Sequence, residues 1–421
     1  MAFGTAISGI KASTADLGII GNNIANSSTT GFKMSRGEFA DVYASSLLGV
    51  GGSAIGKGVT ISSVSQQFTQ GNINFTDNAL DLAINGSGFF MLNDNGSTVY
   101  SRAGGFQVDR AGFVTNNQGM KLMAFQADNQ GVITGQLDEL QLTSSLIEPS
   151  PTALVDMTLN LDSTEIPPAV AWGGPFDAFA VPPTTPSPDM YNSSTSLTIY
   201  DGLGIPHLLS TYFAKSATAG QWDVHTLIDG LTVSGPDVIT FNSSGQFDTA
   251  SLPVEVSITA WNPLDSTGAA TGAAAQDFTL DLSPSTQYGS DFAVLSLDQD
   301  GFATGQLGGL DIADNGIVFA QYTNGQALAL GQVALANFTN SQGLSPIGSS
   351  LWAETFASGP ATLGEPGNAG LGLLQSGALE DSNVEITEQL VQMIVAQRNF
   401  QANAQVIQAE DTITQTIINI R

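Results

Sequence analysis

Residues 1–33 read MAFGTAISGIKASTADLGIIGNNIANSSTTGFK, and the spacing within this stretch governs how the remainder is read. Phe3, Ile7, Ile10, Thr14, Leu17, Gly21 and Ile24 step by alternating fours and threes, which lays a seam along one side of a helix and suits it to a coiled coil. The helix should stop in the polar run 26–31, Asn-Ser-Ser-Thr-Thr-Gly, where short polar side chains compete for the backbone. Thr14 and Gly21 weaken the seam, and Gly4, Gly9, Gly18 and Gly21 each cost about 1 kcal/mol relative to alanine. Burying the apolar side chains of a lone helix this short does not offset the entropy of ordering it. The segment is therefore expected to order only where neighbours pack around it.

The other end carries a matching pattern. Ser382-Asn383-Val384-Glu385 reads as a capping box, and Ile386, Leu390, Met393, Phe400, Ala404, Ile407 and Ile418 keep the same spacing, interrupted by Gln397, Asp411 and Thr414. This helix also lacks an evident core of its own. The two ends are expected to meet each other and then other copies. The contact residues would be Phe3, Ile7, Ile10, Leu17 and Ile24 on one side and Leu390, Met393, Phe400, Ile407 and Ile418 on the other.

Between the helices the pattern is β. Runs such as Leu197–Tyr200 and Val254–Ile258 alternate, and turn pairs Asp300-Gly301, Asn315-Gly316 and Asn324-Gly325 separate such runs. Many short strands with glycine turns imply sandwiches or barrels. Seven prolines between Pro167 and Pro188 mark an extended loop or linker, and Gly268–Ala275 is a second flexible piece. The fold class is thus mainly β with α-helical termini, in a chain of 421 residues with room for two to four domains.

Charge narrows the partners. The net charge is -28, yet from Leu122 to Gln397 there is one basic residue, Lys215, against 29 acidic ones. Both ends are close to neutral and the middle carries the surplus, which disfavours nucleic acid and anionic membranes. With no cysteine and two histidines, thiolate metal sites and disulfides are excluded. No apolar run is long enough for a membrane span, and MAFGTAISGI lacks the basic start and continuous apolar stretch of a cleaved signal.

Motifs of chemistry fail on inspection. Gly51–Gly58, GGSAIGKG, has the spacing of a phosphate loop, but Gly58 stands where a magnesium-binding hydroxyl is required and the alternating Val59–Val64 comes next where a helix should begin. Leu297–Gly301 resembles the start of a calcium loop without its later ligands and reads as a β-turn. No G-x-S-x-G elbow occurs, and His207 and His225 read as satisfied strand residues. No catalytic, cofactor or metal residue is assigned.

Five stretches carry a resemblance. Ala25–Lys33, through Asn26, Thr29, Gly31, Phe32 and Lys33, resembles the A-N-x-x-T-x-G-F-K signature of the axial rod and hook proteins of the bacterial flagellum. Ser382-Asn383-Val384 with Leu390–Asn403, including Arg398 and Asn399, is similar to the closing helix of that family. Tyr100–Phe106 with Asp109 and Gly112 resembles a block that rod and hook proteins share. Tyr322–Gln326, Leu335–Phe338 and Gly343-Leu344 resemble the hook branch, and Asp201, Gly204, His207 and Trp222 resemble its inserted domain.

The resemblance implies a nested order. Residues 1–27 and 382–421 would form an inner helical coiled coil, 28–70 and 361–381 a connecting region, 71–146 and 297–360 a first β-domain, and 147–296 an inserted outer β-domain. It implies a structural subunit, not an enzyme, that polymerises into a curved flexible tube, a universal joint transmitting torque from rod to filament. Implied partners are further copies of itself, the distal rod protein, the hook cap protein, the hook-filament junction protein and a type III export apparatus; export would need no cleaved signal peptide. A distal rod protein shares both end motifs but generally lacks the segment 147–296. An acidic secreted glycan-binding or glycan-cleaving β-protein is the alternative of a different class.

Overall fold

The computed structural model describes residues 2–42, 56–128, 130–142, 146–248, 255–368 and 370–419. Helix α1 runs Ala2–Ala25 and helix α2 Ile386–Asn419. Helix α1 closes at the polar run because Asn26 turns its carboxamide back to the Asn22 carbonyl at 2.9 Å, and Thr29 donates to the Asn26 side chain at 3.2 Å. Helix α2 begins after the expected box. Ser382 accepts the Val384 amide in a local turn, while Asn383 is drawn into contacts with the N-terminal segment, so neither caps the helix. Between the helices the regular elements of the described residues are strands, apart from the 3-10 turns Pro188–Met190 and Ser341–Gly343.

The chain divides into two compact units: Met1–Ser144 with Gly308–Gln321 and Ala327–Arg421, and Ser145–Leu307 with Tyr322–Gln326. In the first unit the outgoing and returning chain run side by side. Ile73–Phe75 pairs antiparallel with Ala378–Glu380, and Leu82–Asn85 pairs with Leu373–Ser376. Around them lies a sheet of thirteen strands among the described residues. Its strand Phe89–Asp94 is buried on both faces, because successive side chains point oppositely. Phe90 and Leu92 join Leu122, Val318 and Val333, while Phe89 and Met91 join Tyr100, Phe338 and Trp352.

The second unit is a β-sandwich. Ser193–Tyr200, Pro206–Lys215, Gln221–Ile228 and Leu231–Thr240 form an antiparallel meander. A five-stranded sheet is built on Leu154–Asp162, which pairs parallel with Gln276–Asp281 and antiparallel with Ala293–Gln299. Leu209, Phe213 and Trp222 of the meander pack with Met157, Leu159 and Phe278 of the other sheet. The proline-rich stretch lies along the meander's last strand: Thr232 donates its amide to the Phe176 carbonyl and accepts the Phe176 amide on its hydroxyl. Trp172 stacks on His225 with ring centroids 4.0 Å apart.

One turn recurs in both units. Asp109, Asn116, Asp128, Asp201, Asn242 and Asp265 each accept the amides two and four residues on, at 2.8–3.1 Å. The third residue on is a glycine of positive φ in every case. This three-residue hairpin loop needs a left-handed residue at that position.

The GGSAIGKG stretch is only partly described, since residues 51–55 lie outside the described residues. The element after it is the strand Val59–Gln66, paired antiparallel with Ser35–Asp41 in a two-stranded ribbon. A strand thus stands where a phosphate loop would open a helix toward its anion.

Candidate functional site: the helix pair and its buried clamp

The two end motifs meet. Gly31 adopts φ +67, and a Cβ there would collide with the backbone nitrogen of Ala103, so only glycine admits the close approach of this turn to the Ser101–Gly105 segment. Its amide donates to the Glu380 carbonyl at 2.8 Å. Lys33 then reaches inward. Its ammonium lies 2.6 Å from Glu380 Oε1 and 2.8 Å from the Thr69 carbonyl, with no side-chain exposure. Arg102 holds the other carboxylate oxygen at 3.2 Å and the Gly86 carbonyl at 2.8 Å, and the Gly71 amide completes the carboxylate at 2.8 Å.

The clamp therefore gathers two buried cations around one buried anion. Burial holds the Lys33 ammonium below the ordinary lysine range; the Glu380 carboxylate opposes this and the Arg102 charge reinforces it. Sequence reasoning named Lys33 and quoted Arg102 within its block, but missed Glu380, which no local pattern marks. Asn383 finishes the tie: its carboxamide accepts the Met34 amide at 2.7 Å and donates to the Gln67 carbonyl at 2.8 Å and the Thr69 hydroxyl at 2.9 Å.

From this clamp the helices run antiparallel. Asn23 donates to Gln389 at 3.0 Å and exchanges two hydrogen bonds with the Ser35 backbone. Fourteen residues earlier, a Cβ on Gly9 would fall 2.5 Å from the Asn403 carboxamide. The buried positions of α1 are Ala6, Ser13, Ile20 and Asn23, a seam of small and polar residues with one large apolar member, Ile20, beside the predicted one. The ribbon covers a third side: Ser8 accepts the Val59 amide at 3.2 Å, and Gly37 sits against Ile19.

The predicted contact residues lie outside these buried seams. Phe3 is 49% exposed, and Ile7, Ile10, Leu17 and Ile24 are half-buried along the flank. On α2, Met393 and Ile407 are half-buried near α1, while Leu390, Phe400 and Ile418 are exposed. Val391, Ile394 and Val395 are exposed as well. Arg398 and Asn399 are exposed, and Asn399 contributes its carbonyl to the Asn403 side chain. Extrapolating the register places residues 411–419 past the start of α1, and 411–418 are exposed throughout.

Phe32 has a separate place. With Val64, Phe68, Leu344, Leu351 and Trp352 it lines a cavity of about 450 Å3 rimmed by Asn22, Asn26, Thr29, Ser35 and Gln342. Among the described residues, no three His, Asp or Glu are placed to share a metal ion, and no helix is long and apolar enough to cross a membrane.

Terminal helices that leave apolar flanks exposed, joined through a clamp from which β-units are threaded, define a structural subunit built for assembly with others of its kind. The comparisons with known proteins point the same way. The chain matches the profiles "Flagella basal body rod protein" over residues 3–33, "Flagellar hook protein FlgE/F/G D1 domain" over 83–162, "Flagellar basal body protein FlaE D2 domain" over 160–302 and "Flagellar basal body rod FlgEFG protein C-terminal" over 375–420. It is 36% identical to the flagellar hook protein FlgE of Escherichia coli, covering 100% of both chains. It is 30% identical to that of Treponema pallidum, covering 99% of this chain and 98% of the relative. The fold is similar to the crystal structure of Helicobacter pylori flagellar hook protein FlgE2, with TM-score 0.54 at 16% identity, covering 73% of this chain and 100% of that one. The chain belongs to the flagellar hook protein FlgE family, a family of structural proteins and not of enzymes.

Proposed function

We propose that this chain polymerises into a bacterial flagellar hook, a curved hollow tube that carries torque from rod to filament. The observation that carries the reading is the antiparallel α1–α2 pair, which buries Ala6, Ser13, Ile20 and Asn23 of α1 and leaves Phe3, Leu390, Phe400 and Ile418 exposed. In water such flanks are unfavourable by roughly 25 cal/mol per Å2 of apolar surface. Packing against neighbouring copies removes that surface. Phe3, Ile7, Ile10, Leu17 and Ile24 would meet Leu390, Met393, Phe400, Ile407 and Ile418 between copies, giving axial strength, while the β-units slide on small contacts as the tube turns.

The finer division belongs to the same reading: 1–27 with 382–421 as the helical layer, 28–70 with 361–381 as connection, 71–146 with 297–360 as the first β-domain, and 147–296 as the inserted one. The distal rod protein, hook cap protein and hook-filament junction protein would bind the ends of the tube, and a type III apparatus would export the chain without a cleaved signal. Electron microscopy of the polymer formed by the purified chain tests the proposal. Curved hollow tubes are expected; straight rigid rods would favour the distal rod reading instead.

A further inference from the structure

Asn93 and Lys121 stand opposite each other where the strand Phe89–Asp94 pairs antiparallel with Lys121–Ala127, in the register Leu92↔Leu122 and Asn93↔Lys121. This short step joins two parts of the first unit's sheet, with Ser97–Ser101 beyond it on one side and Ala327–Val333 on the other. Side chains directly opposite in such a pair have Cβ atoms about 4.5–5.5 Å apart.

One carboxylate spans both side chains. Glu139, on the adjoining strand Ile133–Glu139, accepts from the Lys121 ammonium at 2.6 Å on one oxygen and from the Asn93 amide nitrogen at 2.7 Å on the other. The Asn93 side-chain oxygen accepts the Gly96 amide at 2.7 Å. That carboxamide is thereby oriented at both ends, since a carboxylate receives and a backbone amide donates. The Phe113 ring lies 3.8 Å from the ammonium and confines it. An ion pair needs Lys121 and Glu139 alone. The asparagine completes the parts of an acyl transfer: a nucleophile, a general base, an electrophile, and a donor at the oxygen where charge develops.

We propose that Lys121 and Asn93 form an isopeptide bond within one copy, with Glu139 as the proton carrier, fastening the sheet covalently at this step; the bond does not depend on the hook-subunit reading. Glu139 takes a proton from the Lys121 ammonium, and the free amine adds to Cγ of Asn93 while negative charge gathers on Oδ1, facing the Gly96 amide. Glu139 then gives the proton to Nδ2. The Cγ–Nδ2 bond breaks, and the remaining surplus proton on Nζ passes to the departing ammonia, which leaves as ammonium. One amide is exchanged for another, nothing is oxidised or reduced, and Glu139 ends as the carboxylate it began as. The carboxylate and the Phe113 face both favour the ammonium over the free amine, which makes the step slow. A single turnover per chain is all it requires, and side-by-side placement supplies the effective concentration.

Intact-mass spectrometry of the purified full-length chain, held folded at neutral pH and then denatured, tests the proposal. A species lighter by one ammonia is expected to accumulate, and proteolysis should release a branched peptide joining the Asn93 and Lys121 segments. Glu139→Gln and Lys121→Arg, each checked for folding by circular dichroism, should keep the full mass. An unmodified chain that retains its full mass after prolonged incubation would overturn the inference, whatever the variants do. So would an ammonia loss that maps to a cyclised asparagine, as at Asn95-Gly96, with no branched peptide. A branched peptide formed equally fast in Glu139→Gln would overturn the role given to Glu139.

Discussion

Glu380 accepts from Lys33, Arg102 and the Gly71 amide while fully buried. Removing it leaves two cations without their counter-ion, and the cost of an uncompensated buried charge is about 3–5 kcal/mol. Glu380→Ala is therefore expected to lower the unfolding free energy of the monomer by that amount in urea titration; a loss below about 1 kcal/mol would show that the clamp tolerates the change. Lys33 was legible because it sits in a motif. Its partner was not, since a separation of 347 positions leaves no trace in local spacing. His225 gives a second test. Burial, without a compensating charge, pushes its imidazole down to about 4 from 6.5. Between those values the unfolded chain binds a proton that the folded chain does not, so stability falls as pH drops through 6.5 and the loss is complete near 4. It amounts to up to about 3 kcal/mol. His225→Phe should flatten this part of the stability profile, and an unchanged profile would remove the assignment. His207 behaves oppositely: burial pulls it down, but Asp229 at 2.6 Å and Asp201 more than offset this and hold it above its ordinary value.

At the scale of elements, the period of α1 was legible but its phase was not. Fours and threes fit both the predicted seam and the buried one at Ala6, Ser13, Ile20 and Asn23, and hydrophobicity favours the wrong choice for the contact within the chain. At Gly9 a small residue is required because the Asn403 carboxamide packs directly against its Cα and leaves no room for a side chain. The large ones remain on the flank. Truncation before Ile407 removes the overhanging turns of α2 without touching the clamp at Lys33, Glu380 and Asn383. Soluble, folded monomers that form no tubes are expected, read by circular dichroism and electron microscopy; ordinary tubes would contradict the role given to the terminal seam. Strands were legible where alternation was strong, as in Leu197–Tyr200. The D/N-x-x-G turns were overlooked in favour of Asn-Gly pairs, because the signal is the spacing from acceptor to glycine and not a dipeptide.

Over the whole molecule, acidity is concentrated. The second unit holds 18 of the 38 acidic residues and one of the 10 basic ones. Part of this has a local cause, since Asp201 and Asp265 serve as turn acceptors. The remainder makes crowding of copies unfavourable at low ionic strength, where charges act over about 30 Å, and much less so at 0.15 M, where they act over about 8 Å. Tube yield is thus expected to rise between roughly 10 and 500 mM sodium chloride, approximately independent of pH above 6.5. Equal yields across that range would detach the acidity from assembly. The charge asymmetry was readable from composition, whereas the division into units depends on pairings between residues hundreds of positions apart and was reachable only through resemblance.

The pairing of Ile73–Phe75 with Ala378–Glu380 has a temporal meaning. A polypeptide delivered from its first residue onward cannot close that ladder, or neutralise Lys33, until nearly the last tenth of the chain has emerged. Closure across so long a loop is entropically slow. The clamp therefore acts as a late fastener: the join between the two ends of the chain is among the last parts of the first unit to set.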